Sequence, residues 1–302
     1  MMYPVVAELA GDGVAVTVAC RALGVSTSGY YQWRHRPASD RAWDQAHLMN
    51  VIIDVHTIID VDTASYGTYG HRRVHADLVL GHGFRVSHGR IERLMRDTGR
   101  QGVHRRRLRG CTRRDQAATP SADLVERNFT PAAPDRLYVA DVTQHRTGQG
   151  WLYCAVVIDC FSRRVVGWSI ADHIRAELVV DALQMAIWNR RPQPGTIHHS
   201  DHGSTYTSWA FGHRLREAGL LGSMGTIGDC FDNSVAESFF ATLQTELLDR
   251  STWPTHEALA TAIFAFIEGF YNPRRRHSTL GYLSPADYED QHHAGQPTNT
   301  AA

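Results

Sequence analysis

Three consecutive strand-like runs, followed by a helical pattern and one more strand-like run, constrain the fold of this chain more than any other feature. The runs are rich in β-branched and aromatic residues and cover residues 137 to 145, 151 to 159 and 164 to 170. A helix is expected at residues 175 to 188 and a strand at residues 196 to 200. Strands that come first and then alternate with helices indicate an α/β layer fold, in which a sheet packs against helices.

Three acidic residues lie in unlike local contexts in and after this region. Asp141 replaces an apolar residue inside the first run, where a lone charge requires a partner or a metal ion. Asp201 follows the run at 196 to 200 and precedes a glycine-containing loop, as expected where a strand leaves a sheet. Glu237 lies in a helical pattern that residues 232 to 234 can cap, and it falls beside the apolar stripe of that helix.

Each of these residues taken alone has an ordinary structural interpretation, as a hydrogen-bonding, turn-capping or surface carboxylate. Together they indicate a divalent-metal site, because Mg²⁺ prefers carboxylate oxygens. A site with only a few protein ligands also leaves room for waters and phosphate oxygens. Two such ions about 4 Å apart can activate an attacking oxygen and stabilise a leaving oxygen. Without metal, converging carboxylates raise one another's pKa, so we expect the site to become well ordered only when cations bind.

Five long motifs, three of which contain these acidic residues, resemble one known family. They are similar to the second-frame transposases of the insertion-sequence-three family, whose core is similar to retroviral integrases. The resemblance extends over nearly the whole chain, with the motifs in one order, at residues 137 to 143, 155 to 168, 199 to 208, 228 to 247 and 271 to 285.

The resemblance implies a ribonuclease-H-like α/β core, with a mixed five-stranded sheet flanked by helices and preceded by all-α helix-turn-helix-like modules. It implies that Asp141, Asp201 and Glu237 form the catalytic acidic triad and bind two Mg²⁺ or Mn²⁺ ions. Two positions depart from the family pattern, because His202 stands where Arg is common and Gln244 stands where Lys is expected. Both positions are expected to contact DNA phosphates, and both departures would weaken that contact.

A strongly basic segment lies ahead of the predicted core, although the chain as a whole has no net charge. Residues 71 to 114 hold 13 arginines against three acidic residues, a side-chain charge of about +10. Helices are expected at residues 71 to 80 and 87 to 97, with Ser87 as an N-cap and arginines beside an apolar stripe. Such a module favours DNA binding over an ordinary solvated surface. The candidate DNA-contacting arginines are Arg72, Arg73, Arg90, Arg93, Arg96, Arg105, Arg106, Arg107 and Arg109 and, near the end of the chain, Arg274, Arg275 and Arg276.

Five parts are expected along the chain. Residues 1 to 45 form a helical segment in which residues 23 to 26 make a turn between two helices, a pattern that fits either a helix-turn-helix or ordinary packing. Residues 46 to 115 form the basic helix-turn-helix-like module, and the proline-containing stretch from 116 to 134 is a linker. Residues 135 to 290 form the catalytic core, and residues 291 to 302 form a disordered tail.

Two further features of the predicted core have assigned roles. Asp159 ends a buried run and is expected to have a structural role in a turn rather than a catalytic one. Residues 225 to 230 contain two glycines ahead of the helix that carries Glu237, and they are expected to form a mobile loop that closes over DNA. An ordinary exposed loop is the alternative.

Composition argues against several classes of protein. The longest uncharged stretches are too short to span a bilayer, and the first ten residues lack the basic start and apolar core of a signal peptide. The five cysteines form no CxxC pair and are odd in number, which argues against a disulfide framework or a zinc site. We therefore expect a cytoplasmic protein without membrane contacts.

These observations predict a transposase of a bacterial insertion sequence that cleaves and joins DNA strands at the ends of its element. The expected partners are terminal inverted repeats, target DNA, further copies of the chain on DNA, and a first-frame product that associates with it or is fused to it. Two alternatives stay open. One is a DNA-binding regulator or inactive accessory subunit, which the residues His202 and Gln244 favour. The other is a structure-selective nuclease on the same fold.

Overall fold

The computed structural model describes residues 2–35, 39–56, 67–103, 125, 129–224 and 234–295. The chain divides into two compact units, Met1–Val51 and Ile52–Ala302. Among these described ranges, no helix combines the length and the apolar character that crossing a membrane requires. Several expected features lie outside the described residues: the DNA contacts of Arg105, Arg106, Arg107 and Arg109, most of the linker, and the mobile loop at 225 to 230.

The first unit contains three short helices and most of a fourth, namely α1 (Tyr3–Gly11), α2 (Val16–Ala22), α3 (Thr27–Arg34) and α4 (Asp40–His56). The expected turn between α2 and α3 is present, and Gly24 adopts a φ of 65° in it. The Ser26 hydroxyl caps α3 by accepting a hydrogen bond from the backbone N–H of Gly29 at 3.0 Å. Cys20 and Tyr30 are buried among the three helices. Helix α4 passes through residue 45, so the module boundary expected there falls inside a helix.

Two helices predicted for the basic module are present, α5 (His71–Leu80) and α6 (His88–Asp97). Their bounds lie within one residue of the predicted ones. The predicted apolar stripe is buried on α6 and consists of Ile91, Leu94 and Met95. Ser87 occupies the N-cap position, but its hydroxyl makes no capping hydrogen bond with the described residues. The position of the cap is therefore confirmed, whereas its hydrogen bond is not.

The segment after α6 returns to the start of α5 at very close range. The backbone N–H of Val103 donates to the carbonyl oxygen of Thr68 at 3.1 Å. Gly102 is required at this crossing, because a Cβ atom on it would collide with the backbone of Gly70. The segments that precede α5 and follow α6 are therefore held together, and α5 and α6 form one structural element.

The core contains a mixed five-stranded sheet, as predicted. Its strands are β1 (Leu137–Thr147), β2 (Gly150–Asp159), β3 (Val165–Ala171), β4 (Ile197–Ser200) and β5 (Leu221–Met224). Their spatial order is β3-β2-β1-β4-β5, in which β1, β2 and β3 pair antiparallel, whereas β4 pairs in parallel with both β1 and β5. Helices α7 (Ala176–Arg190) and α8 (Trp209–Glu217) connect the later strands. This arrangement is the expected ribonuclease-H-like fold.

Side chains alternate between the two faces of the sheet. On β1, Tyr138 and Ala140 pack into the apolar cluster formed with α7 and α8. Val139 and Asp141 therefore point to the opposite face, because successive residues of a strand alternate in direction. Helix α9 (Ser234–Glu246) contacts β1 and β2. Asp141 thus projects away from the cluster that contains α7 and α8, and α9 lies against β1, which carries Asp141, and against β2.

Shorter helical segments complete the second unit. A 3₁₀ turn (Leu248–Arg250) follows α9, and α10 (His256–Phe264) continues into a π-helical segment (Ala265–Tyr271). A second 3₁₀ turn (Ser278–Leu280) precedes α11 (Pro285–Ala294), which the Ser284 hydroxyl caps. Residues 291 to 294 were expected to be disordered, and this expectation is wrong because they form the last turn of α11.

Asp159 has the structural role expected of it. Its side chain is fully buried, and its carboxylate accepts hydrogen bonds from the backbone N–H groups of Asp135, Phe161 and Ser162 at 2.6, 2.8 and 3.0 Å. Burial raises the pKa of Asp159 to about 6, although the backbone donors act in the opposite direction. The carboxylate therefore anchors the turn between β2 and β3.

Candidate active site

Strand pairing places Asp141 and Asp201 side by side. Strands β1 and β4 are adjacent and parallel, and Val139 opposite His199 is their last paired position. Asp141 lies two residues after Val139, and Asp201 lies two residues after His199. Because neighbouring strands are only about 4.8 Å apart, the two aspartates lie at nearly the same level of the sheet. The carboxyl ends of parallel strands are where binding sites form in open α/β sheets.

Backbone N–H groups orient both aspartates. The Oδ1 atom of Asp141 accepts a hydrogen bond from the N–H of Val142 at 2.8 Å, and the Oδ1 atom of Asp201 accepts one from the N–H of Gly203 at 3.0 Å. A Cβ atom at Gly203 would lie 2.9 Å from that Asp201 oxygen, so a larger residue there would displace the Asp201 carboxylate. Asp141 is partly buried, whereas Asp201 is exposed.

Glu237 joins the two aspartates through electrostatics. It lies in the first turn of α9, and its side chain is exposed while Val235 and Ala236 beside it are buried. Burial raises the pKa of Asp141 to about 7, and the negative charges of Asp201 and Glu237 add to the increase. The backbone donor at Val142 acts against it. The fold therefore brings both Asp201 and Glu237 within electrostatic range of Asp141.

The donor set fits hard divalent cations such as Mg²⁺ and Mn²⁺. Three carboxylates supply only oxygen ligands, and two of the three are exposed to solvent, where metal-bound waters and phosphate oxygens need room. In the described part of the chain, no three acidic, histidine or cysteine side chains are already close enough to form a metal-binding cluster. The negative charges of Asp201 and Glu237 raise the pKa of Asp141, and a bound cation would neutralise those charges.

Tyr206 lies beside the aspartates and was not identified from the sequence. Burial raises the pKa of its hydroxyl well above the ordinary value, and the charges of Asp141 and Asp201 raise it further. Its hydroxyl is buried and has no hydrogen-bond partner among the described residues. The only signal in the sequence was its position within the motif at residues 199 to 208, five residues after Asp201.

The described residues predicted to contact DNA fall into three groups. Arg72 on α5 and Arg90, Arg93 and Arg96 on α6 are exposed, as DNA contacts must be. Arg96 also pairs with Glu92 at 2.6 Å across one turn of α6. Their contacts with DNA stay predictions.

The second group is buried, and the prediction for Arg275 and Arg276 is wrong. Arg275 is 4% exposed and donates from Nε and Nη2 to the two carboxylate oxygens of Glu246, at 2.7 and 2.6 Å. Arg73 donates to the same carboxylate at 2.9 Å. Arg276 is 8% exposed and pairs with Asp77 at 2.7 Å. These arginines join α5 to the end of the core, so their donors are not offered to DNA.

The remaining predicted contacts lie in intermediate environments. The side-chain amide of Gln244 donates to the carboxylate of Asp249. His202 and Arg274 are half-buried. Glu246 was not identified as a structural residue from the sequence, although it lies within the motif at residues 228 to 247. A run of three arginines resembles a solvated DNA-binding face unless the distant carboxylates that pair with it are known.

Three regions of this chain match models of known protein families. Residues 131–230 match the family described as "Integrase core domain", and residues 219–285 match a second family with the same description. Residues 43–107 match the family described as "HTH-like domain". The two integrase-core matches contain the three acidic residues, and the third match contains α5 and α6.

Curated relatives are similar over most of this chain. The transposase for insertion sequence element IS629 of Shigella sonnei is 37% identical over 287 residues, which cover 91% of this chain and 91% of that protein. Transposase InsF for insertion sequence IS3A of Escherichia coli (strain K12) is 34% identical, covering 92% and 94%. Among solved structures, the HTLV-2 integrase catalytic core domain in complex with magnesium is 17% identical, with a TM-score of 0.41, covering 52% of this chain and 98% of that chain. On the sequence relatives and the family matches, the chain belongs to the insertion-sequence-three family of transposases with an integrase core domain.

Proposed function

We propose that this transposase cleaves DNA at the ends of its element and joins the new ends to target DNA, with Asp141, Asp201 and Glu237 as the catalytic carboxylates. The observation that carries the proposal is that Asp141 on β1 lies within electrostatic range of both Asp201, at the end of β4, and Glu237, on α9. Family membership supports the reaction class, and the exposed arginines of α5 and α6 support DNA as the substrate.

Each carboxylate has a distinct place in the proposed mechanism. Asp141 and Asp201, from adjacent parallel strands, are the pair that would hold two Mg²⁺ or Mn²⁺ ions, and Glu237 would complete the ligand set from α9. Two bound cations would activate an attacking oxygen and stabilise the leaving oxygen of an in-line displacement. The backbone donors at Val142 and Gly203 fix one oxygen of each aspartate.

The proposed reaction has two displacements at phosphorus and no covalent protein intermediate. In the first, a water oxygen attacks the phosphodiester at the element end, and the 3′-oxygen leaves and takes a proton to become a 3′-hydroxyl. In the second, that 3′-hydroxyl attacks a phosphodiester of the target, forms the new bond and displaces the target's own 3′-oxygen. Several copies of the chain assembled on DNA, with a first-frame product as a further partner, complete the proposal.

The decisive experiment separates DNA binding from catalysis. Asp201→Asn and Glu237→Gln each remove one negative charge at a nearly unchanged size, and both side chains are exposed, so the fold should tolerate them. With duplexes that carry the sequences flanking the coding region, we expect both variants to bind DNA as the wild type does. We expect cleavage and joining in Mg²⁺ to fall by at least about a hundredfold, as expected when electrostatic stabilisation of a transition state is lost.

Three outcomes would count against the proposal. Full cleavage and joining by Glu237→Gln would remove the assigned triad. Equal binding of the wild type in EDTA and in Mg²⁺, with no cleavage in either, would instead identify a DNA-binding regulator. Cleavage of branched DNA without joining would identify a nuclease.

A further inference from the structure

Two cavities in the second unit share lining residues and form one path, which we name the composite groove. The larger cavity has a volume of about 670 Å³ and lies between α5, α6, the segment after α6 and the 3₁₀ turn that begins at Ser278. The smaller cavity has a volume of about 270 Å³ and lies between α9 and the segment from 271 to 279. Arg73 and Ser278 line both cavities. The composite groove therefore leads from the basic module to the helix that carries Glu237.

Positive charge dominates the larger cavity. Arg72, Arg96 and Arg100 line it, and Glu92 is the acidic residue among its described lining residues. Glu92 is already paired with Arg96 at 2.6 Å. Among the described residues, neither Arg72 nor Arg100 has a carboxylate within ion-pair distance. Two guanidinium groups of the larger cavity are therefore available to an anionic ligand.

The smaller cavity is also cationic and is rich in hydroxyl groups. Its described lining includes Arg163 and the buried Arg275, and it includes no acidic residue. Arg163 has no ion-pair partner among the residues that the structure describes. The serine and threonine residues of the lining are Ser234, Ser238, Thr242, Ser278 and Thr279. Ser234 and Ser238 lie on α9, so this cavity lies against the helix that carries Glu237.

Buried ion pairs hold the walls of the groove in place. Glu246 binds Arg73 from α5 and Arg275 from the segment after the π-helix, and the carboxylate is only 6% exposed. Because both guanidinium groups are engaged, Arg73 and Arg275 are structural residues of the wall, and the available charges are those of Arg72, Arg100 and Arg163. Because these three arginines line two cavities rather than forming one cluster, they suit an extended polyanion better than a small anion.

We propose that the composite groove binds the sugar-phosphate backbone of a DNA strand, and that Arg72, Arg100 and Arg163 contact its phosphates. The ligand class rests on the proposed function. The guanidinium fork matches the geometry of phosphate oxygens, and serine and threonine hydroxyls donate to the same oxygens. A strand held in this way runs from the helix-turn-helix-like module to the start of α9, so one chain positions the DNA that its own carboxylates cut.

The first test removes one proposed phosphate contact against a closely matched control. Arg163→Gln and Arg191→Gln each remove one arginine from a left-handed backbone position, with φ 63° and 46°, and Arg191 lies outside the groove. The probe is a duplex of generic sequence, because phosphate contacts do not depend on sequence, and its binding is measured by fluorescence anisotropy across a salt series. We expect Arg163→Gln to weaken binding and to lower the slope of log K against log salt by about 0.9, with no change for Arg191→Gln.

The second test places a charge at the junction of the two cavities. Ser278→Asp and Ser278→Asn have nearly the same size and differ in charge, so a folding defect caused by size would affect both variants. We expect Ser278→Asp to bind the duplex about fivefold more weakly than Ser278→Asn at low salt, the effect of one added negative charge about 4 Å from a phosphate in water. The difference should disappear at high salt.

The outcomes separate this proposal from the proposed function. An unchanged salt slope for Arg163→Gln, together with equal binding by the two Ser278 variants, would overturn the groove even if the wild type cuts and joins DNA. A different result would support the groove and overturn the catalytic proposal. In it, the salt slope falls in Arg163→Gln as expected, but the wild type shows no Mg²⁺-dependent cleavage. If Arg163→Gln bound an acidic peptide more weakly than the wild type but bound DNA equally well, the groove would be assigned to a protein ligand. That result would overturn the proposal.

Discussion

Removing the charge of Glu246 should destabilise the second unit far more than removing the charge of an exposed glutamate. The side chains of Glu246 and Arg275 are only 6% and 5% exposed, and their atoms approach to 2.6 Å. Burial acts to raise the pKa of Glu246, but Arg275 and Arg73 outweigh it and hold the pKa below the ordinary value. Glu246→Gln therefore leaves the Arg275 guanidinium buried without a counter-charge.

The size of the effect follows from the burial of this pair. Removing one partner of a buried ion pair costs about 3–5 kcal/mol, because the remaining charge loses its compensation. For a unit of this length, about 1 kcal/mol corresponds to roughly 2–4 °C in Tm, so we expect Glu246→Gln to lower Tm by roughly 6–20 °C. The control is Glu92→Gln, which breaks the exposed Arg96 pair on α6 and should cost only about 0.3–0.5 kcal/mol.

Thermal unfolding followed by circular dichroism measures both effects, with urea unfolding as a second assay. The double variant Glu246→Leu with Arg275→Met should recover much of the lost stability, because it removes both buried charges together. Equal Tm values for Glu246→Gln and Glu92→Gln would refute the assignment of a buried structural ion pair. They would also reopen Arg275 as a candidate for DNA contact.

Three further predictions concern the same unit. The Glu246 carboxylate has a lowered pKa in the folded state, so its contribution to stability should be present above about pH 4.5 and lost as the pH falls through the folded pKa. Urea unfolding at a series of pH values should therefore show that the unfolding free energy of Glu246→Gln depends less on acid than that of the wild type. Gly102→Ala should lower Tm because its Cβ collides with the backbone of Gly70, whereas Gly89→Ala on α6 meets open space and should raise the unfolding free energy by about 0.5–1 kcal/mol. Tyr206→Phe should leave Tm unchanged or higher, because the buried hydroxyl has no described hydrogen-bond partner, and a loss above about 1 kcal/mol would show that it has one.

Local patterns in the sequence predicted most of the elements of the core. The β-branched runs became β1, β2 and β3 with bounds that differ by at most two residues, and the turn expected at residues 23 to 26 is present between α2 and α3. The types and contexts of Asp141, Asp201 and Glu237 made them the candidate catalytic residues among 31 acidic residues. Strand propensity, helix capping and charge within an apolar run are properties of neighbouring residues, so a single sequence contains them.

Only the tertiary structure decided which distant residues meet. Parallel pairing of β1 with β4 brings Asp141 beside Asp201, and burial against oppositely charged groups turns Arg275 and Arg276 from expected DNA contacts into structural residues. The same packing aligns Arg163 with α9 and leaves its charge available. These outcomes depend on long-range pairing and on burial, and both arise when segments far apart in the chain pack together, which no local periodicity records.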